Sequence, residues 1–326
     1  MRWKTWIGLL VSAVFLVLSF RKVDWTEMRM AMGQAHYVYI LPSVALVMAG
    51  FWLRAFRWKI LLAPVQKLRT HVLFGATMIG FMANNVLPAR LGEFVRADAL
   101  ARQAPISRST AFATIVVERL FDGMALLLLL AGTLAFSSFP DWVRRGAVGA
   151  MALYGLCIAF LYLLHSRTDR MVRLAEYLLN PFPARIKNRL IDQLRLFASG
   201  LDVLTQGHHL ISTTVLSVVL WTFNVLSLQC ILTAFDLRLP FYAPFTVTAI
   251  LALGVILPSS PGFVGVVQGF SILALGLFGV SRSVALAFSV VYHASGYVPV
   301  TAVGLFYFSR AHLSFKNIQE TPKEIS

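Results

Sequence analysis

The sequence has few charged residues and almost no cysteine. Only 13% of its 326 residues are Asp, Glu, Lys or Arg, and only two are cysteines. Because a soluble domain carries about a quarter charged residues, this composition excludes an ordinary water-soluble fold. Cys157 and Cys230 lie in separate apolar runs without CxxC or metal-ligand spacing. They therefore exclude a disulfide framework and favour packing roles.

The motifs that mark common cofactor enzymes are also missing. The chain has no HExxH, no Walker-type Gly-rich loop and no Rossmann fingerprint, and its seven histidines are scattered. We therefore predict no cofactor, no metal site and no catalytic residue, and expect that the protein is not an enzyme.

What the sequence does have is apolar surface and positive charge. Hydrophobic residues make up 58% of the chain, and the formal net charge is +15. In a soluble protein this charge would suggest nucleic acid, but here the basic residues lie between apolar runs. Topology and anionic lipid headgroups explain them better, so nucleic acid is not a predicted partner. The composition indicates an all-α polytopic protein of the cell (inner) membrane.

Six apolar segments are predicted to cross the membrane. They are residues 6–20, 37–53, 110–136, 146–164, 208–235 and 283–308. The first could be a signal peptide, but no small-x-small cleavage site follows it, so we interpret it as a retained span. Basic residues after the second span, beginning with Arg54 and Arg57, predict a cytoplasmic loop. Six crossings place both termini in the cytoplasm.

Two further apolar segments are interrupted by Pro and Gly and predict re-entrant broken-helix hairpins, at residues 71–106 and 241–280. The breaks read NNVLPARLGEFVR from Asn84 and LPSSPGFVG from Leu257, and both contain Leu-Pro-x-x-x-Gly. Non-helical backbone at membrane depth is tolerated only where protein or a water-filled cavity surrounds it. Each break is therefore expected to line a cavity.

The chain is predicted to form a single transmembrane domain, 1–326, with two similar halves. The halves are 1–165 and 207–310, joined by a linker at 166–206, and 311–326 is expected to be a disordered tail. One interpretation of the two halves is an inverted repeat. In such a repeat, broken segments at corresponding positions point to a transporter's binding site. The linker is basic and amphipathic, and is expected to lie on the membrane surface or against the bundle. Its apolar stripe is Ile186, Leu190, Leu194, Phe197, Leu201 and Leu204.

Charged residues at the first break suggest phosphate binding. Arg90, Glu93 and Arg96 recur every three residues, which places them near one face of a helix. Two arginines could bind a phosphate while Glu93 holds one of them in place. The alternative is an ion pair at the cytoplasmic surface. Asn84 and Asn85, which precede this group, are included among the candidate binding residues.

Charges inside the third span form a second candidate group. Glu118 and Asp122 are four residues apart on one face, and Arg119 can reach Asp122. Such charges usually face a cavity or a partner. They could line the substrate pathway, or form a structural ion pair in which Glu118 binds Arg90 or Arg96, and the two roles are not exclusive.

The second break contributes polar groups but little charge. Its candidate binding residues are Ser259, Ser260 and Gln268, and packing is an equally good interpretation of this segment. The predicted hinge residues of the two breaks are Pro88, Gly92, Pro258, Pro261, Gly262 and Gly265.

Three motifs carry a resemblance to a known family: NNVLPARLGEFVRA, the ERLFD of residues 118–122, and LPSSPGFVGVVQG. Together they resemble the flippase-like transmembrane domain of lysylphosphatidylglycerol synthases and its free-standing relatives. The resemblance implies a polytopic protein that moves a lipid or lipid-linked headgroup across the membrane. The residues to which it would assign function are Arg90, Gly92, Glu93, Arg96, Glu118, Arg119, Asp122, Pro258, Pro261 and Gly262.

The chain departs from the family pattern in two ways. Bifunctional members carry a soluble aminoacyl-transfer domain after the membrane part, and this sequence ends at Ser326 without one, so aminoacylation is not expected. Position 268 is Gln where many relatives are expected to have Glu, which argues against proton or cation coupling there.

The sequence thus predicts a lipid flippase or transporter that handles a membrane lipid with an anionic headgroup in a polar cavity between the two hairpins. One alternative is a membrane enzyme on a lipid-linked phosphate or glycan, with Glu118 or Asp122 as its base. Another is a non-transporting partner of a lipid-biosynthesis enzyme, bound through the basic linker.

Overall fold

The computed structural model describes residues 2–87, 91–136, 141–199, 201, 207–257, 259–311 and 313, and all regular structure in these ranges is helical. In chain order the α-helices are α1 (Arg2–Phe20), α2 (Trp25–Gln34), α3 (Ile40–Leu62), α4 (Thr70–Val86), α5 (Gly92–Ala101), α6 (Arg108–Phe136), α7 (Asp141–Ser166), α8 (Thr168–Leu178), α9 (Ala184–Ser199), α10 (Gly207–Ala234), α11 (Ala243–Ile256), α12 (Val266–Gly276) and α13 (Arg282–Arg310). The all-α class is therefore confirmed.

Four helices in the described part of the chain are long and apolar enough to cross a membrane. They are Tyr37–Leu62, Arg144–Leu164, Leu210–Ala234 and Arg282–Arg310, and each overlaps a predicted span. Shorter apolar helices cover Leu10–Phe20, Ala243–Ile256 and Pro261–Gly276. Helix α6 has 29 residues and is therefore long enough to cross a membrane. It is not among these four apolar helices, and it contains the charged residues Glu118, Arg119 and Asp122. The first and third spans therefore stay predictions.

The chain forms two compact units built from interleaved segments. Unit 1 comprises Met1–Trp52, Gly75–Arg96 and Thr222–Ser326, and unit 2 comprises Leu53–Phe74 and Ala97–Trp221. Unit 1 contains both predicted breaks, whereas unit 2 contains the charged part of α6 and the predicted linker. The inverted repeat of consecutive halves stays a prediction.

In unit 1 the second hairpin, α11 and α12, packs on α13 around buried apolar side chains such as Val247, Leu275 and Phe288. Helix α1 lies along α12, where the rings of Phe15 and Phe270 are 5.4 Å apart between centroids. The contacts of α12 with α11, α13 and α1 hold the second break in place.

In unit 2, α6 packs on α7 and α9, and α8 packs on α9. Residues Pro181–Pro183 separate α8 from α9. Helix α9 buries Ile191 and Ala198, so this part of the predicted amphipathic linker lies against the bundle. Ile186 and Leu190, from the N-terminal half of the predicted stripe, are exposed instead.

Candidate functional site

Asn84 connects the two arms of the first break. Helix α4 ends at Val86 and α5 begins at Gly92. The N–H of Gly92 donates to Asn84 Oδ1 over 2.8 Å, and Asn84 Nδ2 donates to Glu93 Oε2 over 3.5 Å. Two predicted residues of this break, Pro88 and Arg90, lie outside the described residues.

The arms approach most closely at two glycines. A Cβ added to Gly92 would lie 2.2 Å from the carbonyl oxygen of Gly80, and a Cβ added to Gly80 would lie 2.6 Å from Arg96 Cβ. Any side chain at either position would therefore separate the arms. Arg96 packs against Gly80 and is only 1% exposed, so it is buried in the hairpin rather than at a surface.

The second break is a turn that needs glycine at two positions. Gly262 and Gly265 have φ of +70° and +88°, which non-glycine residues rarely adopt. Pro261 begins a 3₁₀ turn, Pro261–Phe263, between α11 and α12. The N–H of Ser260 donates to Ser12 Oγ of α1 over 2.7 Å. Ser259 is buried, and Pro258 lies outside the described residues.

Gln268 joins this turn to the last helix. Its Oε1 accepts from the N–H of Gly265 over 2.7 Å, which satisfies a donor at the start of α12. Its Nε2 lies 3.2 Å from Nδ1 of His293 on α13. Gln268 therefore has a positioning role in the second break.

One face of α13 contacts both breaks. His293, Tyr297 and Thr301 follow at four-residue spacing, so they share that face. Tyr297 lies against Gly262, since a Cβ there would be 2.6 Å from its ring, and its hydroxyl is 3.5 Å from the carbonyl oxygen of Asn85. Asn85 Nδ2 donates to Thr301 Oγ1 over 2.8 Å. The two breaks therefore meet at this stripe.

Sequence reasoning missed Tyr297 and Thr301. The available signal was the spacing of three polar side chains along an otherwise apolar span, with His293 at its start. Only the fold shows that the same face contacts Asn85 from the other half of the chain.

Unit 2 contains a buried charge quartet, defined by Arg54 and Arg57 of α3 and Glu118 and Asp122 of α6. Arg54 Nη1 is 2.6 Å from Asp122 Oδ2 and 3.1 Å from Glu118 Oε1. Arg57 Nη1 is 2.8 Å from Asp122 Oδ1, and its Nη2 is 3.4 Å from Glu118 Oε1. No side chain of the quartet is more than 10% exposed. Two guanidiniums and two carboxylates make the quartet neutral.

The quartet corrects the predicted end of the second span. Arg54 and Arg57 were assigned to a cytoplasmic loop, but α3 continues to Leu62 and buries both. Burial is tolerated because each arginine reaches two carboxylates. Sequence reasoning interpreted the charges as the end of the apolar run and did not identify either arginine as a partner of Glu118.

Two more hydrogen bonds reinforce the quartet. Trp58 Nε1 of α3 donates to Thr114 Oγ1 of α6 over 2.9 Å, and Arg57 Nη1 donates to Ser217 Oγ of α10 over 2.6 Å. All of these side chains are buried. The network therefore fastens α3 to α6 and α10 by polar contacts within apolar surroundings.

Arg119 lies at the rim of the quartet. Its side chain is 37% exposed, and its Nη1 is 3.3 Å from Asp122 Oδ2. The Tyr154 hydroxyl of α7 donates to the Arg119 carbonyl oxygen over 3.0 Å. Of the predicted charged residues of α6, Arg119 is thus the most accessible. Within the described part of the chain, no cluster of three or more His, Cys, Asp or Glu side chains could hold a metal ion.

Comparison with known proteins places these features in a family. The lysylphosphatidylglycerol synthase TM region matches residues 5–304. A UPF0104 membrane protein of Methanothermobacter thermautotrophicus is 26% identical over 94% of this chain and 95% of its own length. One from Methanocaldococcus jannaschii is 20% identical over 92% of this chain and 93% of its own length.

One further relative is named as an enzyme. The glycosyltransferase AglD of Haloferax volcanii is 26% identical over 88% of this chain, but the similarity covers only 51% of AglD. No solved structure matches the chain. The match over residues 5–304 shows that the protein belongs to the family of the lysylphosphatidylglycerol synthase TM region, and is a membrane protein.

Proposed function

We propose that this protein moves the headgroup of an anionic phospholipid, or of a lipid-linked intermediate, across the membrane. The observation that carries the proposal is the meeting of both helix breaks at α13. Asn85 of the first break contacts Thr301 and Tyr297, and Tyr297 lies against Gly262 of the second. Interrupted helices that meet inside a membrane protein are a common way to build a transporter's binding site.

The breaks supply what a headgroup needs. Hydrocarbon offers no hydrogen-bond partners, so a charged headgroup crosses only where protein or water provides them. The acyl chains can stay in the bilayer, and only the headgroup requires a polar path. Backbone at the breaks, the amides of Asn84, Asn85 and Gln268, and the hydroxyl of Thr301 are suited to line it.

Helix α5 supplies the charged side chains of the proposed phosphate site. Arg96 provides the guanidinium, whose fork geometry matches phosphate oxygens, and Glu93 is held beside the break by Asn84. Because Arg96 is 1% exposed and packs on Gly80, a headgroup can reach it only after the α4–α5 arms separate. The proposal therefore includes opening of the first break as the step that admits the headgroup.

The quartet suits a structural role better than substrate exchange. In unit 2, Glu118 contacts two arginines and Asp122 contacts three, and the four charges of the quartet already cancel. An incoming phosphate would have to displace a carboxylate and leave it buried. We therefore assign the quartet to stability.

The test is headgroup movement in proteoliposomes. The full chain is reconstituted with a fluorescent phosphatidylglycerol, and a membrane-impermeant quencher reports which leaflet it occupies. We expect faster movement than in protein-free vesicles, and a loss of at least about tenfold for Arg96→Gln and Glu93→Gln because each removes a charged contact at the break. The matched control is Arg102→Gln, an arginine 36% exposed just after α5 and paired with Asp98.

Two results would contradict the proposal. One is a wild-type rate equal to that of protein-free vesicles. The other is an equal rate for all three variants and the wild type, with every protein folded by circular dichroism. Loss in the Arg102 variant together with the other two would point to destabilisation instead of headgroup binding.

A membrane enzyme acting on a lipid-linked glycan is the second candidate, favoured by the similarity to the glycosyltransferase AglD. Its catalytic base would be Glu118 or Asp122, but both are engaged by arginines. Mass spectrometry of lipid-linked glycans incubated with the purified protein discriminates the two candidates. A change in covalent mass supports the enzyme, and altered leaflet distribution without a change in mass supports transport.

A further inference from the structure

The helical hairpin α8–α9 has an exposed face that none of the preceding roles requires. On α8, Val172 points into the bundle and is 3% exposed. Arg170, Leu174 and Tyr177 share the opposite side of the helix, because they follow at spacings of four and three residues. All three are exposed, and Tyr177 is 76% exposed. Neighbouring exposed apolar side chains that form a contiguous patch mark an interaction surface.

The exposed apolar surface continues through the turn into α9. Phe182 in the turn is 53% exposed, and Ile186 and Leu190, one helical turn apart, are 47% and 44% exposed. Asn188 and Asp192, also one turn apart, lie on a different side of α9 and are exposed too. The hairpin thus has a bundle side, a polar side and an apolar outer side.

Positive charge predominates in the α8–α9 hairpin. Between residues 167 and 195 there are seven Arg or Lys and three Asp or Glu, a net charge of +4. Arg167, Arg170 and Arg173 are all exposed. Apolar side chains among arginines are typical of helices that lie in the interface of an anionic membrane.

The chain path brings this face to a membrane surface. The candidate span of α7 ends at Leu164, and α8 begins at Thr168. Four residues reach at most about 14 Å, so α8 starts close to the level at which α7 leaves the hydrocarbon. The membrane surface is therefore always close to this face of α8, whereas a soluble protein partner would have to diffuse to it.

We propose that the outer face of α8–α9, formed by Arg170, Leu174, Tyr177, Phe182, Ile186 and Leu190, docks in the headgroup region of a leaflet rich in anionic phospholipid. The apolar side chains enter the boundary between headgroups and acyl chains, and the arginines bind headgroup phosphates. By the positive-inside rule this is the cytoplasmic leaflet. The proposal does not depend on headgroup transport.

The experiment places a probe on the outer face of the full chain. In a Cys157→Ser, Cys230→Ser background, Phe182→Cys carries an environment-sensitive dye, and Asn188→Cys on the polar side is the matched control. The protein is placed in nanodiscs of phosphatidylcholine with or without phosphatidylglycerol, with bromine on the acyl chains. We expect the emission of the dye at position 182 to be shifted to the blue and to be quenched at least about twofold more than the emission of the dye at position 188. The quenching at position 182 should be stronger when phosphatidylglycerol is present.

A second variant tests the electrostatic part. Arg170→Gln with Arg173→Gln should remove most of the gain from phosphatidylglycerol while leaving the fold intact by circular dichroism. Equal quenching at the two dye positions would overturn the docking, and equal quenching in both lipid compositions would overturn the preference for anionic lipid. Shielding of the dye at Phe182 only after a second protein is added would assign the face to a protein partner and also overturn the proposal.

Discussion

Replacing Glu118 by Gln should destabilise the protein severely although it removes only one charge. The quartet is neutral and at most 10% exposed, so the substitution leaves an uncompensated positive charge between α3 and α6. Arg57 is fully buried and would keep only Asp122 as a carboxylate partner. Breaking a buried pair in this way costs about 3–5 kcal/mol of unfolding free energy.

The assay is reversible unfolding of the purified protein in mixed micelles, followed by circular dichroism. The control is Asp141→Asn, because Asp141 and Arg145 are 3.9 Å apart with side chains 85% and 82% exposed, and such pairs contribute little. We also expect the double variant Arg57→Met, Glu118→Leu to recover much of the loss, since it leaves the neutral pair of Arg54 and Asp122. Equal stability of the Glu118→Gln and Asp141→Asn proteins would refute the reasoning.

Three other substitutions test contacts at single positions. Gly92→Ala should slow headgroup movement and lower stability, because its Cβ would lie 2.2 Å from the carbonyl oxygen of Gly80, and both effects are measured in the assays above. Thr114→Val should cost about 1–3 kcal/mol in the unfolding assay because it removes the Thr114 hydroxyl that accepts from the buried Trp58 N–H. Gly262→Ala should slow headgroup movement more than a substitution of an exposed residue does, because Gly262 has φ of +70° and an added Cβ would lie 2.6 Å from the ring of Tyr297. Headgroup movement at the wild-type rate would contradict a role of Gly262 in the second break.

The sequence predicted the helical class and the positions of both breaks. Pro and Gly interrupt apolar runs at 84–92 and 257–265, and α4 and α11 end close to these points. Local chemistry determines such features, because proline restricts φ and lacks an N–H donor, and glycine permits a positive φ, wherever the segment lies. The turn between α8 and α9 at Pro181–Pro183 was predictable for the same reason.

Partners distant in sequence could not be predicted in this way. Arg54 and Glu118 are 64 residues apart, and Asn85 and Thr301 are 216 apart. A charge at the end of an apolar run looks the same whether it faces headgroups or a buried carboxylate. The hint that α3 continues through Arg54 and Arg57 was their spacing of three residues, which places both near one face of a helix.

The central claim, that a headgroup passes where the first break meets α13, is tested most directly by a reversible lock. Asn85→Cys with Thr301→Cys replaces a 2.8 Å hydrogen bond between that break and α13 by a disulfide, in a Cys157→Ser, Cys230→Ser background. The matched control is Ser43→Cys with Ser227→Cys, whose hydroxyl oxygens are 2.8 Å apart between α3 and α10. Headgroup movement is measured in the same proteoliposomes before and after reduction. The account predicts that oxidation stops movement only in the Asn85–Thr301 protein and that reduction restores it, whereas an unchanged rate in the fully oxidised protein would contradict it.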